Sequence, residues 1–130
     1  MSVAHLKSFV VAVGSAVLVA GCTHPPVYNV QDAPITTNRP VTIEEIGNAI
    51  VTAGVALNIR TQKVKPGLIN AYFGGSPWFA TVEIRYDEKS YNITYKDSQG
   101  LKYDGSTIHK RYNSMVQNLE NRIRVELNLL

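Results

Sequence analysis

Cysteine and histidine are scarce in this sequence, which has one cysteine, Cys22, and three histidines. A single cysteine excludes a disulfide within the chain, so no covalent cross-link supports the fold. The sequence has no paired-histidine motif and no run of alternating carboxylates of the kind found in calcium-binding loops. Gly74-Gly75-Ser76 joins two predicted strands and opens no helix, so it is not a phosphate-binding loop. We therefore expect no metal ion and no cofactor.

The sequence also has little excess charge, because 13 Lys and Arg residues against 10 Asp and Glu residues give a formal net charge of +3. Proteins that bind nucleic acid concentrate their bases in one patch or stripe. Here the bases are scattered among the acids, and only His109-Lys110-Arg111 forms a short cluster. We interpret that cluster as the solvated flank of a helix, and we expect no nucleic-acid partner.

Long apolar runs are missing except at residues 9–20, a stretch of twelve apolar and small residues. A helix that spans a membrane needs about 20 residues, so this stretch is too short. Lys7 precedes it and small residues follow it, which is the arrangement of a secretory signal. We predict that residues 1–21 are a signal peptide.

The end of this segment, Val19-Ala20-Gly21-Cys22, resembles the lipobox of bacterial lipoproteins. In that family the cysteine sulfur receives a diacylglyceryl group, the signal is removed before the cysteine, and the new amino terminus is usually acylated. The alternative is an ordinary signal peptide with an incidental cysteine nearby. The resemblance implies that Cys22 is lipidated and holds the protein on a membrane, since two or more acyl chains give stable anchoring. Thr23, in place of aspartate, implies the periplasmic face of the outer membrane.

The segment after the cysteine is rich in proline and has no apolar period. Proline lacks a backbone donor and pushes the preceding residue toward extended geometry. We therefore predict that residues 22–40 are the lipidated cysteine and a flexible tether, and that residues 41–130 are a single domain. A flexible coil of this length has a typical span of about 23 Å, so the domain would stand off the membrane.

The predicted domain begins and ends with an amphipathic helix. Thr42 and Glu45 fit a capping box, and an apolar face follows, so the first helix is expected from Thr42 to about Asn58. The last helix is expected over residues 107–127. Its apolar face consists of Ile108, Tyr112, Met115, Leu119, Ile123 and Leu127.

The middle of the chain has the alternation of β-strands with one buried face. Residues 78–86 and 91–95 alternate apolar and polar side chains, and short turns separate the apolar segments. Short connections favour antiparallel pairing. We predict an α+β domain with an N-terminal helix, an antiparallel three- to four-stranded meander and a C-terminal helix, both helices on one face of the sheet.

The other face of that sheet is expected to be polar and uncovered. We predict it as a tentative interaction face, and its candidate residues are Tyr72, Phe79, Thr81, Arg85 and Thr94. The expected partners are the membrane, through the lipid anchor, and an envelope protein, peptidoglycan or lipopolysaccharide. An exposed sheet edge could also accept a partner strand.

Residues 91–123 resemble a group of small proteobacterial lipoproteins, which share the lipobox and the Pro66-Gly67 step. The matching pattern is Tyr91-x-Ile93-x-Tyr95, Ser98, Leu101-x-Tyr103, Ile108-His109, Tyr112-Asn113 and Leu119. The resemblance implies the location and the fold, and it implies no activity, since the shared motifs are structural in character.

Catalytic residue types are present but form no recognisable motif. A nucleophilic hydrolase needs a histidine that a carboxylate orients beside a nucleophile. Such a group could form if four residues met in space, namely Ser98, Asp97, Asp104 and His109. The non-catalytic interpretation is that His109 lies near the start of a helix and has a structural role there. We predict a non-enzymatic binding or scaffold module of the cell envelope. The alternative is a small envelope hydrolase centred on His109.

Overall fold

Seven elements follow one another in the computed structural model, which describes residues 24–130. They are β1 (Val30–Pro34), α1 (Ile43–Ala56), β2 (Arg60–Lys65), β3 (Leu68–Gly74), β4 (Phe79–Tyr86), β5 (Ser90–Gln99) and α2 (Lys110–Asn128). The predicted signal peptide and Cys22 lie outside the described residues.

The sheet is antiparallel and has the strand order β1-β5-β4-β3-β2. Strands β2 to β5 form a meander, and β1 pairs with the free side of β5. Helix α1 contacts α2, β2 and β4, and the buried residues of both helices belong to one core with the inner residues of the sheet. The predicted α+β architecture is confirmed, with five strands instead of three or four.

The start of α1 is fixed by the predicted capping box. The Thr42 hydroxyl accepts a hydrogen bond from the Glu45 amide at 3.2 Å, and the Glu45 carboxylate accepts one from the Thr42 amide at 3.3 Å. Gly54 lets this helix approach the chain that enters β2, because a Cβ there would lie 2.7 Å from Thr61 Cγ2. The glycine therefore permits close contact, although it lowers helix propensity by about 1 kcal/mol relative to alanine.

The core lies between the helices and the inner face of the sheet. Its largest fully buried side chains are Tyr112, Ile46, Ile50, Ile69, Ile84, Ile93, Leu101, Ile108, Leu119, Ile123, Leu127 and Val82. Helix α2 begins at Lys110, three residues later than predicted, because His109 is its N-cap. Its buried stripe includes Val116, while Met115 lies at the edge of the stripe and is half-buried.

The prediction of a flexible tether is wrong for residues 24–40. The Val27 amide donates to the Ser106 carbonyl at 3.0 Å, the Ile108 amide donates to the Pro25 carbonyl at 3.0 Å, and Val30 is buried opposite Ile93. Proline is compatible with an edge strand, where the missing donor can face solvent. Extended geometry was correctly expected for this segment, but the segment uses it to join the sheet, so the domain begins no later than residue 24.

Candidate functional site

The face of the sheet opposite the helices, called the outer face below, contains the residues predicted for interaction. Tyr72 pairs with Thr81 across β3 and β4, and Thr94 pairs with Glu83 across β5 and β4. Arg85 lies on the same face two residues farther along β4, and Phe79 lies at the start of that strand. The five predicted residues therefore lie on one face, as the period-two pattern indicated. Arg85 is exposed, Tyr72, Phe79 and Thr94 are half-buried, and Thr81 is buried with 7% of its surface exposed.

An ion-pair cluster occupies the middle of the outer face. Glu83 is shared by two bases, with Arg85 Nη2 at 3.2 Å from Oε2 and Lys96 Nζ at 3.5 Å from Oε1. The Arg85 and Lys96 side chains are 56% and 45% exposed, although that of Glu83 is 25% exposed. Surface ion pairs contribute about 0–1 kcal/mol, so both bases can exchange Glu83 for a carboxylate of a partner. The cluster has one positive charge in excess.

One end of the outer face combines an aromatic ring with a base. The Tyr72 hydroxyl donates to Gln62 Oε1 at 3.0 Å, and Arg60 Cζ lies 5.3 Å from the centre of the Tyr72 ring, within cation–π range. A depression of about 370 Å³ adjoins them and extends to Phe79 and Thr81. This end offers a flat ring, a guanidinium and a shallow concavity.

Asn70 lies between these two regions and was not predicted from the sequence. It pairs with Gln62 on one side and Glu83 on the other, and its side chain is buried. Its Oδ1 atom has no hydrogen-bond partner among residues 24–130. A buried acceptor without a partner costs about 1–3 kcal/mol, so the outer face contains a polar group that the fold leaves unsatisfied.

A groove of about 590 Å³ lies between β1 and α2. It was not predicted from the sequence, because the residues of β1 were expected to belong to a flexible tether. Tyr28 Oη donates to Glu120 Oε2 at 2.6 Å, and Arg124 Nη2 lies 3.7 Å from Glu120 Oε1. The hydrogen bond with Glu120 raises the pKa of Tyr28. Burial, assisted by the Glu120 charge, raises the pKa of Tyr91 to about 12. Both phenols are therefore neutral at pH 7.

His109 has a structural role at the start of α2. Its Nδ1 atom accepts a hydrogen bond from the Arg111 amide at 3.0 Å, so this nitrogen caps the helix. Its ring lies beside that of His24, with centres 5.8 Å apart. Among residues 24–130, no carboxylate is hydrogen-bonded to the His109 ring.

The other three residues of the hydrolase alternative have partners of their own. The hydroxyls of Ser98 and Tyr95 are 2.7 Å apart, and Asp97 accepts from the Ser98 amide at 2.8 Å. Asp104 accepts from the amides of Thr107 and Ser106, and these bonds hold the pKa of its carboxyl well below its usual range. The structure therefore shows no hydrogen-bonded relay to His109 in the part of the chain it describes.

The described residues contain no group of three or more His, Cys, Asp or Glu side chains arranged to hold a metal ion. In the same part of the chain, neither helix is both long enough and apolar enough to cross a membrane.

Comparison with protein-family models, with curated proteins and with solved structures gave no match for this chain. The similarity to small proteobacterial lipoproteins, carried by the residues quoted above, therefore stays an expectation.

Proposed function

We propose that the protein is a lipid-anchored lipoprotein of the cell envelope that acts as a non-enzymatic binding or scaffold module. Cys22 is its anchor on the periplasmic face of the outer membrane, and the outer face of the sheet is its binding surface. The observation that carries the proposal is the uncovered outer face. Both helices pack on the opposite side of the sheet, and on the outer face Arg85 is exposed while Tyr72 and Thr94 are half-buried.

The side chains of the outer face favour a partner with carboxylates and hydrogen-bonding groups. Tyrosine and arginine are the residue types that contribute most at the centres of interfaces. Arg85 and Lys96 are held only by weak ion pairs with Glu83, so their charges are available to a carboxylate of a partner. An envelope protein or the peptide stems of peptidoglycan would supply such groups.

A cross-linking experiment with matched variants tests this proposal. The full-length protein is cross-linked in intact cells and recovered, and its partners are measured for the wild type and for Arg85→Ala and Thr94→Ala. The matched control is Arg124→Ala, because Arg85 and Arg124 are similarly exposed and each has a pair with one glutamate. We expect recovery of the partner to fall about 5- to 30-fold for Arg85→Ala, as for an interface arginine worth 1–2 kcal/mol.

Two results would contradict the proposal. Wild-type recovery by both outer-face variants would remove the outer face as the binding surface. Loss with Arg124→Ala alone would move the site to the groove between β1 and α2. Purified peptidoglycan in a co-sedimentation assay separates the two kinds of partner, since a protein partner would be recovered without binding to it.

The hydrolase alternative has weaker support. The ring nitrogen of His109 that a carboxylate would orient already accepts a bond from the Arg111 amide. Asparagine is an alternative N-cap, so His109→Asn preserves the structural role of His109 and His109→Ala does not. If both variants lost the envelope function of the wild type, the hydrolase would replace the binding module as the better proposal.

A further inference from the structure

We infer that one end of the domain lies directly on the phospholipid bilayer and binds its anionic headgroups. This end, called the anchor end, contains the start of the described chain, the β3–β4 turn, the loop after β5 and the start of α2. The inference rests on the proposed lipidation of Cys22.

The described chain begins at a position that is bound to the rest of the domain. Pro25 and Val27 are bound through their backbones to Ile108 and Ser106, immediately before α2. The ring of His24 lies against that of His109, the N-cap of α2. The amino-terminal segment is therefore held to the domain as far back as residue 24.

Very little chain separates that position from the lipid anchor. Only Thr23 stands between Cys22 and His24. Two residues span about 7 Å at most when fully extended. The polar headgroup region on each side of a bilayer is about 5–7 Å thick. A domain anchored at Cys22 consequently has its anchor end at the level of the headgroups, and the stand-off expected from a flexible tether does not occur.

The loops of the anchor end form one continuous surface. The His109 amide donates to the Leu101 carbonyl at 2.8 Å, which joins α2 to the loop after β5. A Cβ at Gly100 would lie 2.6 Å from the Pro77 carbonyl oxygen, so this loop also touches the β3–β4 turn. Arg111 Cζ lies 5.1 Å from the centre of the Trp78 ring and joins the turn to α2.

This surface has the composition of a membrane interface. Its aromatic side chains are Trp78 and Phe79, both half-buried, and Tyr103, which is 42% exposed. Its exposed bases are Lys102, Lys110 and Arg111. Tryptophan and tyrosine concentrate at the headgroup level of membranes, and basic side chains are attracted to anionic leaflets.

The anchor end has a small excess of positive charge. Its acids are Asp104, which is bonded to the amides of its own loop, and Asp97 at the end of β5. The three exposed bases outnumber these two acids by one, which gives this end a formal charge of +1. An anionic surface attracts an end with this charge.

Trp78 is the only tryptophan in the chain, so its fluorescence reports on the anchor end alone. The mature lipidated protein is reconstituted into liposomes of phosphatidylethanolamine and phosphatidylglycerol, in which the phosphatidylglycerol has brominated or plain acyl chains. Flotation first establishes that the protein is membrane-bound. We expect Trp78 emission to be about two-fold lower with brominated lipid, because the ring lies at the headgroup level.

Charge-reversal variants identify the headgroup interaction. In Lys102→Glu/Lys110→Glu the quenching is expected to fall below the wild-type level, because the domain can tilt about its anchor and turn Trp78 away from the bilayer. In the matched control Lys65→Glu/Lys89→Glu it stays at the wild-type level. Arg111 is left in place, since its contact with the indole would alter the emission directly. Equal quenching in both double variants would overturn the assignment of these bases to anionic headgroups.

Two further outcomes separate this inference from the proposed function. A protein that floats with the liposomes but shows equal emission in brominated and plain lipid is anchored, but its anchor end does not lie on the bilayer. That result overturns the inference alone. A protein that does not float has no lipid anchor, which overturns both.

Discussion

The two faces of β4 use alternate residues of one strand for different purposes. On the inner face Ala80, Val82 and Ile84 are fully buried in the core. On the outer face Glu83 and Arg85 form a surface ion pair that contributes little to stability. Substitutions at neighbouring residues of β4 can therefore alter either the core or the proposed binding surface without altering the other.

The largest expected effect comes from the inner face. Ile84→Ala removes buried apolar atoms next to other fully buried side chains, and we expect it to lower the free energy of unfolding by about 2–5 kcal/mol. The matched outer-face variant, Arg85→Ala, is expected to change it by no more than about 0.5 kcal/mol. Urea denaturation followed by circular dichroism measures both. A similar loss of unfolding free energy in the two variants would show that the outer face contributes to stability as much as the inner face does.

Close contact on the helix side of the sheet gives the next largest effect. A Cβ at position 54 would lie 2.7 Å from Thr61 Cγ2 and 3.0 Å from the Ile59 carbonyl oxygen. We expect Gly54→Ala to lower the free energy of unfolding by about 1–3 kcal/mol, although alanine is the better helix former. Thr61→Ser removes the methyl group in question and should restore part of the loss in a double variant. An increase in stability for Gly54→Ala would show that the contact is looser than this.

The outer face offers a change of opposite sign. Asn70 is buried with an unpaired Oδ1, so Asn70→Val removes the unsatisfied acceptor and adds a good strand former. We expect the free energy of unfolding to rise by about 0.5–2 kcal/mol. Gln62→Val, its exposed neighbour on β2, is the control and should change stability little. If Asn70 takes part in binding, the same variant will weaken recovery of the partner, and a stabilised variant with undiminished recovery would exclude that role.

The parts of this fold that were predicted from the sequence are those that depend on local pattern. The capping box of α1 lies within four residues, and the alternation along β4 identifies both faces of the sheet without knowledge of its neighbours. The alternation therefore predicted that Tyr72 and Thr94, which lie on different strands, share one face of the sheet. It did not indicate that Thr81 is buried on that face, and the role of the face in binding stays a prediction.

The parts that were missed depend on pairing between distant segments. Strand β1 is short and ends in Pro34, and its apolar residue Val30 acquires meaning only when it lies opposite Ile93. The groove and the position of the anchor end follow from that pairing, so the error about the tether concealed both. The apolar residues Val27, Val30 and Ile35 within the proline-rich segment were the available signal.

The last prediction concerns Tyr91, which faces the helices and has a pKa raised to about 12 by burial. A group whose pKa is higher in the folded protein than in the unfolded chain contributes stability below the unfolded value, and this is lost as pH rises through the folded value. The free energy of unfolding should therefore fall between about pH 10, the usual pKa of tyrosine, and about pH 12. Tyr91→Phe should reduce that slope while leaving the plateau near pH 7 little changed. Tyr72→Phe on the outer face is the matched control, and an equal reduction in slope for both variants would mean that burial on the inner face is not the cause.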